Sequence, residues 1–283
     1  MTFSIVGRSA DGKSLGVAVA SKFLAVGAYV PAAAVDAGAL ATQAYGNLAL
    51  KTRGLGLLAQ GIPAADMLRQ FLRSDEQKEQ RQMGVIDAQG RVVTFTGNRC
   101  MPWAGGRAEQ SEKGSYAAQG NMLAGAHVVD AMVDSWLQSA NDESLASRLI
   151  KSIAAGQVAG GDPRGKQAAA VLVVSKGKGY GGLSDVVVDL RCDDSPEPIA
   201  ELERMLLIHE LYFGSTPEDT LLALEGALSD EVRTLLKIVG YDSGDVARDL
   251  YNWMGRENFE ERWHDDKIDP VVLEQLRSMS AKV

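Results

Sequence analysis

Three short stretches of this sequence hold residue types that can do chemistry together. The first is Thr2. Removal of the methionine before it would leave a threonine carrying its own α-amine beside its hydroxyl. An α-amine titrates at about 7.7–8.0, so it can take the hydroxyl proton near neutral pH with no help from histidine. The three histidines, His127, His209 and His264, lie in helical or tail segments and in no nucleophile motif. The second stretch is Gln119-Gly120-Asn121, a strand end turning into a helix. Backbone N–H groups and an amide side chain at such a turn are parts for an oxyanion hole, or simply a capping asparagine. The third is Gly160-Gly161-Asp162-Pro163-Arg164-Gly165. A helix C-cap explains the paired glycines but not Asp162 and Arg164, which could hold and polarise a reacting group.

Other candidates are weaker. Ser21 and Lys22 end the second strand, where a lysine would lower the amine pKa by like-charge repulsion. Thr42-Gln43-Ala44-Tyr45-Gly46-Asn47 joins a strand to a helix, and Arg81-Gln82 precedes a strand. Asp193-Asp194 has no neighbouring histidine or third carboxylate, so it reads as a solvated turn; neither a metal nor a cofactor is expected.

The elements that must position these residues come in pairs. Phe3 and Ile5 alternate on a strand, Ser9–Lys13 turn, and Leu15–Ala20 return. A second strand pair spans 28–35 and 39–43, and helical spacing follows over 48–59 and 63–72. Strands resume at 83–87, 91–96 and 115–119. Helices are expected at 126–139 and 143–155, the latter capped by Asn141 or Asp142. Strands at 167–174 and 185–190 precede a helix over 198–211. Paired strands and paired helices do not make βαβ units, so the pattern predicts antiparallel sheets in a sandwich with helices outside, an α+β fold. The tail reads as helices at 217–227, 231–239, 244–254 and 270–279.

Charge marks the domain break. Residues 1–209 hold 21 basic and 21 acidic residues, whereas 210–283 hold 8 and 16, so the net −8 sits in the tail. The expected domains are therefore 1–209 and a small acidic helical domain over 210–283. No basic stripe exists to neutralise phosphates, so nucleic acid is not an expected partner. No run of about 18 apolar residues predicts a membrane span, and the opening residues carry no signal-peptide pattern. Cys100 and Cys192 are in no CxxC spacing and read as buried thiols of a reducing cytoplasm, the expected location.

The stretches MTFSIVGR, GVAVASKFLAVGA, ATQAYGN, RQMGVIDAQG, TGNRCMPWAGG, QGNMLAG, AGGDPRGKQ and VDLRCDD occur in order over 1–209. As a set they resemble the domain-of-unknown-function family 1028. That resemblance implies an N-terminal-nucleophile hydrolase fold, a four-layer αββα sandwich like proteasome β subunits. It also implies roles: Thr2 as nucleophile, Tyr45-Gly46-Asn47 as oxyanion loop, and Gln119, Gly120 and Asn121 with Gly161, Asp162 and Arg164 in support. The sequence departs from the proteasome pattern by placing Ser21 and Lys22 where an aspartate would end the second strand. The tail, with LYFG, LLKIVGYD and LYNWMGRENFEERW, is similar to the appendage called a putative peptidoglycan-binding domain. The resulting expectation is an amide hydrolase for a small or peptide-like substrate, in a chain that could also form a homodimer. The alternatives are a non-catalytic binding protein for a metabolite or cell-wall fragment, and a structural subunit of a larger assembly.

Overall fold

Alternation along the first strand decides how the layers stack. In β1 (Thr2–Arg8), Phe3 and Ile5 join one buried cluster and Val6 another, so the strand is covered on both faces. The computed structural model describes residues 2–140 and 142–282. The chain divides into two units, Met1–Leu206 and Leu207–Val283.

The N-terminal unit continues with β2 (Ser14–Ser21), a short helix α1 (Val26–Tyr29), β3 (Pro31–Ala34) and β4 (Gly38–Ala44). Next come α2 (Ala49–Ala59), α3 (Ala64–Arg73), β5 (Arg81–Asp87), β6 (Val92–Thr96), β7 (Gly105–Ser111) and β8 (Gly114–Asn121). It closes with α4 (Ala126–Gln138), α5 (Leu145–Val158), β9 (Ala168–Ser175), β10 (Val186–Cys192) and the start of α6 (Pro198–Phe213). One sheet has the order β10-β9-β2-β1-β8-β7 and the other β3-β4-β5-β6, every neighbour antiparallel. Val128, Met132 and Trp136 of α4 and Leu149 and Ile153 of α5 pack on the outer face of the larger sheet. Leu50, Met67 and Phe71 of α2 and α3 cover the smaller one. Val17, Val19, Ala39, Ala41 and Ile86 fill the space between the sheets. This is the four-layer αββα sandwich.

The N-terminal unit departs from the sequence expectations in four places. β7 was not expected, because GGRAEQS shows no apolar alternation; it is a half-exposed edge strand held by β8. Residues 26–29 form a turn of helix rather than the start of a strand. Ser144, not Asp142, caps α5, its side chain accepting from the Ser147 N–H, and Asn141 lies outside the described residues. Cys100 and Cys192 are free thiols only half-buried.

The C-terminal unit holds β11 (Leu222–Ala223), α7 (Gly226–Ile238), α8 (Val246–Arg256), β12 (Lys267–Ile268) and α9 (Pro270–Ser280). Val232, Leu236, Leu250, Trp253, Val272 and Leu276 form its core. The helix expected over 217–227 is absent: β11 pairs with β12, a tertiary pairing that local periodicity does not encode. Arg262 is buried, pairs with Asp269 at 2.6 Å, and donates to the carbonyls of Glu210 and Leu211 near the end of α6. No helix among the described residues is long and apolar enough to cross a membrane.

The unit boundary falls inside α6, and helical backbone resists proteases. Limited proteolysis is expected to spare residues 198–213 and to cut first in the non-helical Gly214–Pro217 stretch. Mass spectrometry of the released core checks this; a core ending at 206–210 would count against it.

Candidate functional site

Thr2 opens an inner strand of the larger sheet and is 8% exposed. Its register partner on β8 is Asn121, and its Oγ lies 3.1 Å from the Ser21 Oγ at the end of β2. The residue borders a cavity of about 330 Å³ that Gly46 and Arg164 also line. Two side-chain amides clamp its main chain: Gln43 Nε2 donates to the Thr2 carbonyl at 3.2 Å, and Asn121 Nδ2 at 3.4 Å.

Those two amides are themselves fixed by a third. Gln82 Oε1 accepts from Gln43 Nε2 at 2.8 Å and from Asn121 Nδ2 at 2.9 Å. The Gln82 Nε2 donates in turn to the Gly120 carbonyl at 2.7 Å. One register step deeper, Gln119 Nε2 donates to Ser4 Oγ, and Ser4 Oγ to Gln43 Oε1, each at 2.7 Å. Gly84 of β5 leaves room for this layer, since a Cβ there would collide with the Gln119 amide. Ser4, Gln43, Gln82, Gln119 and Asn121 are all nearly inaccessible to water. An unpartnered polar group in such a place costs about 1–3 kcal/mol, so the mutual bonds keep the amides in one orientation.

The loop after β4 forms another wall of the cavity. Ala44 has φ of +63°, which turns the chain out of the sheet, and Tyr45 N–H donates to the Gln80 carbonyl at 3.1 Å. Arg81 secures the loop: one guanidinium nitrogen donates to the Tyr45 carbonyl, and the group lies 5.1 Å from the centre of the Tyr45 ring. Its Nε donates to Asp75 at 3.0 Å, a pair whose side chains are only 7% and 6% exposed. Asn47 does not reach Thr2. Its Nδ2 donates to Asp75 at 3.0 Å and its Oδ1 accepts from the Ala49 N–H at the start of α2.

The Arg81 hydrogen bonds, aided by Asn47, hold the Asp75 carboxyl below the usual carboxylate range against the opposing effect of burial. A depressed folded pKa stabilises the fold above the unfolded value near 3.8, and that contribution disappears as pH falls through the folded value. The stability gap between wild type and Asp75→Asn, read by urea titration, is therefore expected to be full at pH 6 and to shrink at pH values below about 4. A gap independent of pH would contradict the assignment.

Asp162 ties its loop to the end of β2: its carboxylate accepts from the Lys22 N–H at 3.0 Å and from the Arg164 guanidinium at 3.0 and 3.2 Å. Lys22 Nζ turns away to the Lys166 carbonyl at 3.2 Å and is not on the cavity wall. Gly160 and Gly161 have positive φ and close the end of α5, Gly161 N–H donating to the Gly156 carbonyl at 3.0 Å. Gly120 lies in β8 beneath Leu123, where any side chain would collide. The structure thus gathers Thr2, Ser21, Asn121, Asp162 and Arg164 in one neighbourhood. Gln119 lies one layer below, and Lys22, Asn47, Gly120 and Gly161 serve backbone geometry. Gln43 and Gln82, the centre of the amide layer, belong to the stretches 42–47 and 81–82 that the sequence marks only as weaker candidates. Their signal in the sequence is polar amides on strands that are otherwise apolar. Among the described residues, no group of three or more His, Cys, Asp or Glu could hold a metal ion.

Over residues 2–202 the chain matches the sequence model described as "Family of unknown function (DUF1028)". Residues 212–276 match the "Putative peptidoglycan binding domain". No curated protein matches the chain. The crystal structure of a DUF1028 protein from Silicibacter pomeroyi superposes with a TM-score of 0.65 and 26% identity, covering 81% of this chain and 92% of that one.

Proposed function

We propose, from the premise that the chain belongs to the family of unknown function DUF1028, that it is an N-terminal-nucleophile hydrolase of a small or peptide-like amide, with Thr2 as nucleophile. A fold supplies no reaction by itself, so the proposal stands on the site. The observation that carries it is Thr2 at the start of an inner strand, bordering a cavity while amides clamp its carbonyl. The reaction requires a free amine, exposed by cleavage of the peptide bond before Thr2. That amine takes the Oγ proton as Oγ attacks the substrate carbonyl carbon. The oxyanion is stabilised by the N–H of Gly46, a residue that lines the cavity and whose N–H donates to no group among the described residues. Collapse of the tetrahedral adduct breaks the C–N bond, and the ammonium of Thr2 protonates the departing amine. Water, deprotonated by the same amine, then hydrolyses the ester. Asn121 acts as a clamp on Thr2, and Asp162 supports Ser21 by holding the next residue's N–H.

A second reading, a binding protein for a cell-wall fragment, draws on the match of residues 212–276. An amide-directed covalent probe separates the two. The expected result is a single adduct on a peptide beginning at Thr2. Absence of any adduct favours the binding protein, and an adduct on Ser4 or Ser21 replaces the nucleophile.

A further inference from the structure

We propose that the acyl group accepted beside Thr2 is large and uncharged, aromatic or branched aliphatic; the inference rests on Thr2 as the reacting residue. The cavity that Thr2 borders is walled by Phe23, Val26, Tyr29, Val30, Tyr45 and Leu48. Val26 and Val30 are 1% and 5% exposed and form a fixed apolar base. The other four are exposed by 44–63%, a concentration of large apolar side chains around one opening. Single exposed hydrophobes are ordinary, but a contiguous ring of them marks a binding surface.

The wall is built before any ligand arrives. Phe23 and Tyr29 meet edge to face at 5.5 Å, and Arg81 backs the Tyr45 ring. The α1 segment carrying Val26 and Tyr29 is pinned at both ends. Ala25 N–H donates to the Asp193 carbonyl at 2.9 Å, and Lys51 Nζ to the Ala28 carbonyl at 2.8 Å. Charge points the same way. Arg164 is the one charged residue on the lining among the described residues, and its guanidinium already donates twice to Asp162. A carboxylate or ammonium on the acyl side chain would lose water there and gain no uncompensated partner. About 330 Å³ accommodates a benzyl or isobutyl group.

The test uses three β-lactones bearing a benzyl, a methyl or a carboxymethyl group next to the carbonyl. Thr2 Oγ adds to the carbonyl, the ring C–O bond breaks, and the ring alkoxide takes the proton that the amine removed, so the whole lactone mass is retained. The benzyl lactone is expected to label Thr2 at least about tenfold faster than the other two. Phe23→Ala, at a half-exposed position, should slow benzyl labelling about tenfold more than it slows methyl labelling. Binding to the Thr2→Ala protein, followed by ligand-observed NMR, reads the cavity without catalysis: phenylpropanamide should bind about tenfold tighter than propanamide. Equal labelling by all three lactones together with equal binding overturns the inference and leaves Thr2 as nucleophile. Selective binding with no labelling of Thr2 supports the cavity and overturns the nucleophile. Neither labelling nor selective binding overturns both.

Discussion

Thr2→Ala is expected to abolish amide turnover and lactone labelling while moving the urea midpoint little. Thr2 Oγ is the proposed attacking atom, and alanine removes it without disturbing the strand register with Asn121 or the two bonds to the Thr2 carbonyl. The fold loses one contact, Oγ to Ser21 Oγ, and a small volume in a position that is 8% exposed. Thr2→Ser keeps Oγ but frees the side chain to rotate, so activity should fall and remain measurable. The informative third member is a chain whose Thr2 is held in peptide linkage by an uncleaved N-terminal extension. Its nitrogen is then an amide and cannot accept a proton, and loss of a general base costs about 10²–10⁴-fold. That protein should keep every side chain and behave like the alanine variant. Full activity in Thr2→Ala would make Ser4 or Ser21 the next residue to test; full activity in the extended chain would remove the amine as base.

The fold was legible because its signals are local. Small apolar residues in β2 and the Phe3, Ile5 alternation in β1 specify strands buried on both faces, and Val128, Met132 and Trp136 mark one face of α4. What was not legible depended on partners distant in sequence. β7 exists because β8 supplies hydrogen bonds to a polar segment, and β11 because β12 does. The candidate site divides in the same way. Thr2, Asn121 and Asp162 lie at element ends within recognisable stretches. Ser4, Gln43 and Gln82 meet only when the two sheets are stacked in register, since Gln43 pairs with Gln82 across β4 and β5 and reaches Ser4 on the opposite sheet. Asn47 lies in the same loop as Gly46, yet its side chain faces Asp75, a partner that its place in the sequence does not reveal.

Arg81→Ala is expected to lower stability by about 3–5 kcal/mol and to slow labelling of Thr2 as well. The guanidinium neutralises Asp75 in a pair with side-chain exposures of 7% and 6%, and also holds the Tyr45 carbonyl and Gln77 Oε1. Removing it leaves the Asp75 carboxylate with Asn47 Nδ2 and the Gln77 N–H, two hydrogen bonds without a countercharge. Against a typical folding free energy of about 5–15 kcal/mol, that loss is severe. Arg81→Lys restores a charge but not the planar fork that reaches Asp75 and Tyr45 together, so it should recover stability only in part. Asp75→Ala placed in the Arg81→Ala background removes the orphaned carboxylate. The double variant should therefore be more stable than Arg81→Ala alone, a non-additivity that urea titration reads directly. The labelling rate should not recover in that double variant, because the Tyr45 loop still lacks its tether and Gly46 lies on it. Recovery of both stability and rate would show that Arg81 serves only to neutralise Asp75, and a loss below about 1 kcal/mol in Arg81→Ala would show a solvated pair.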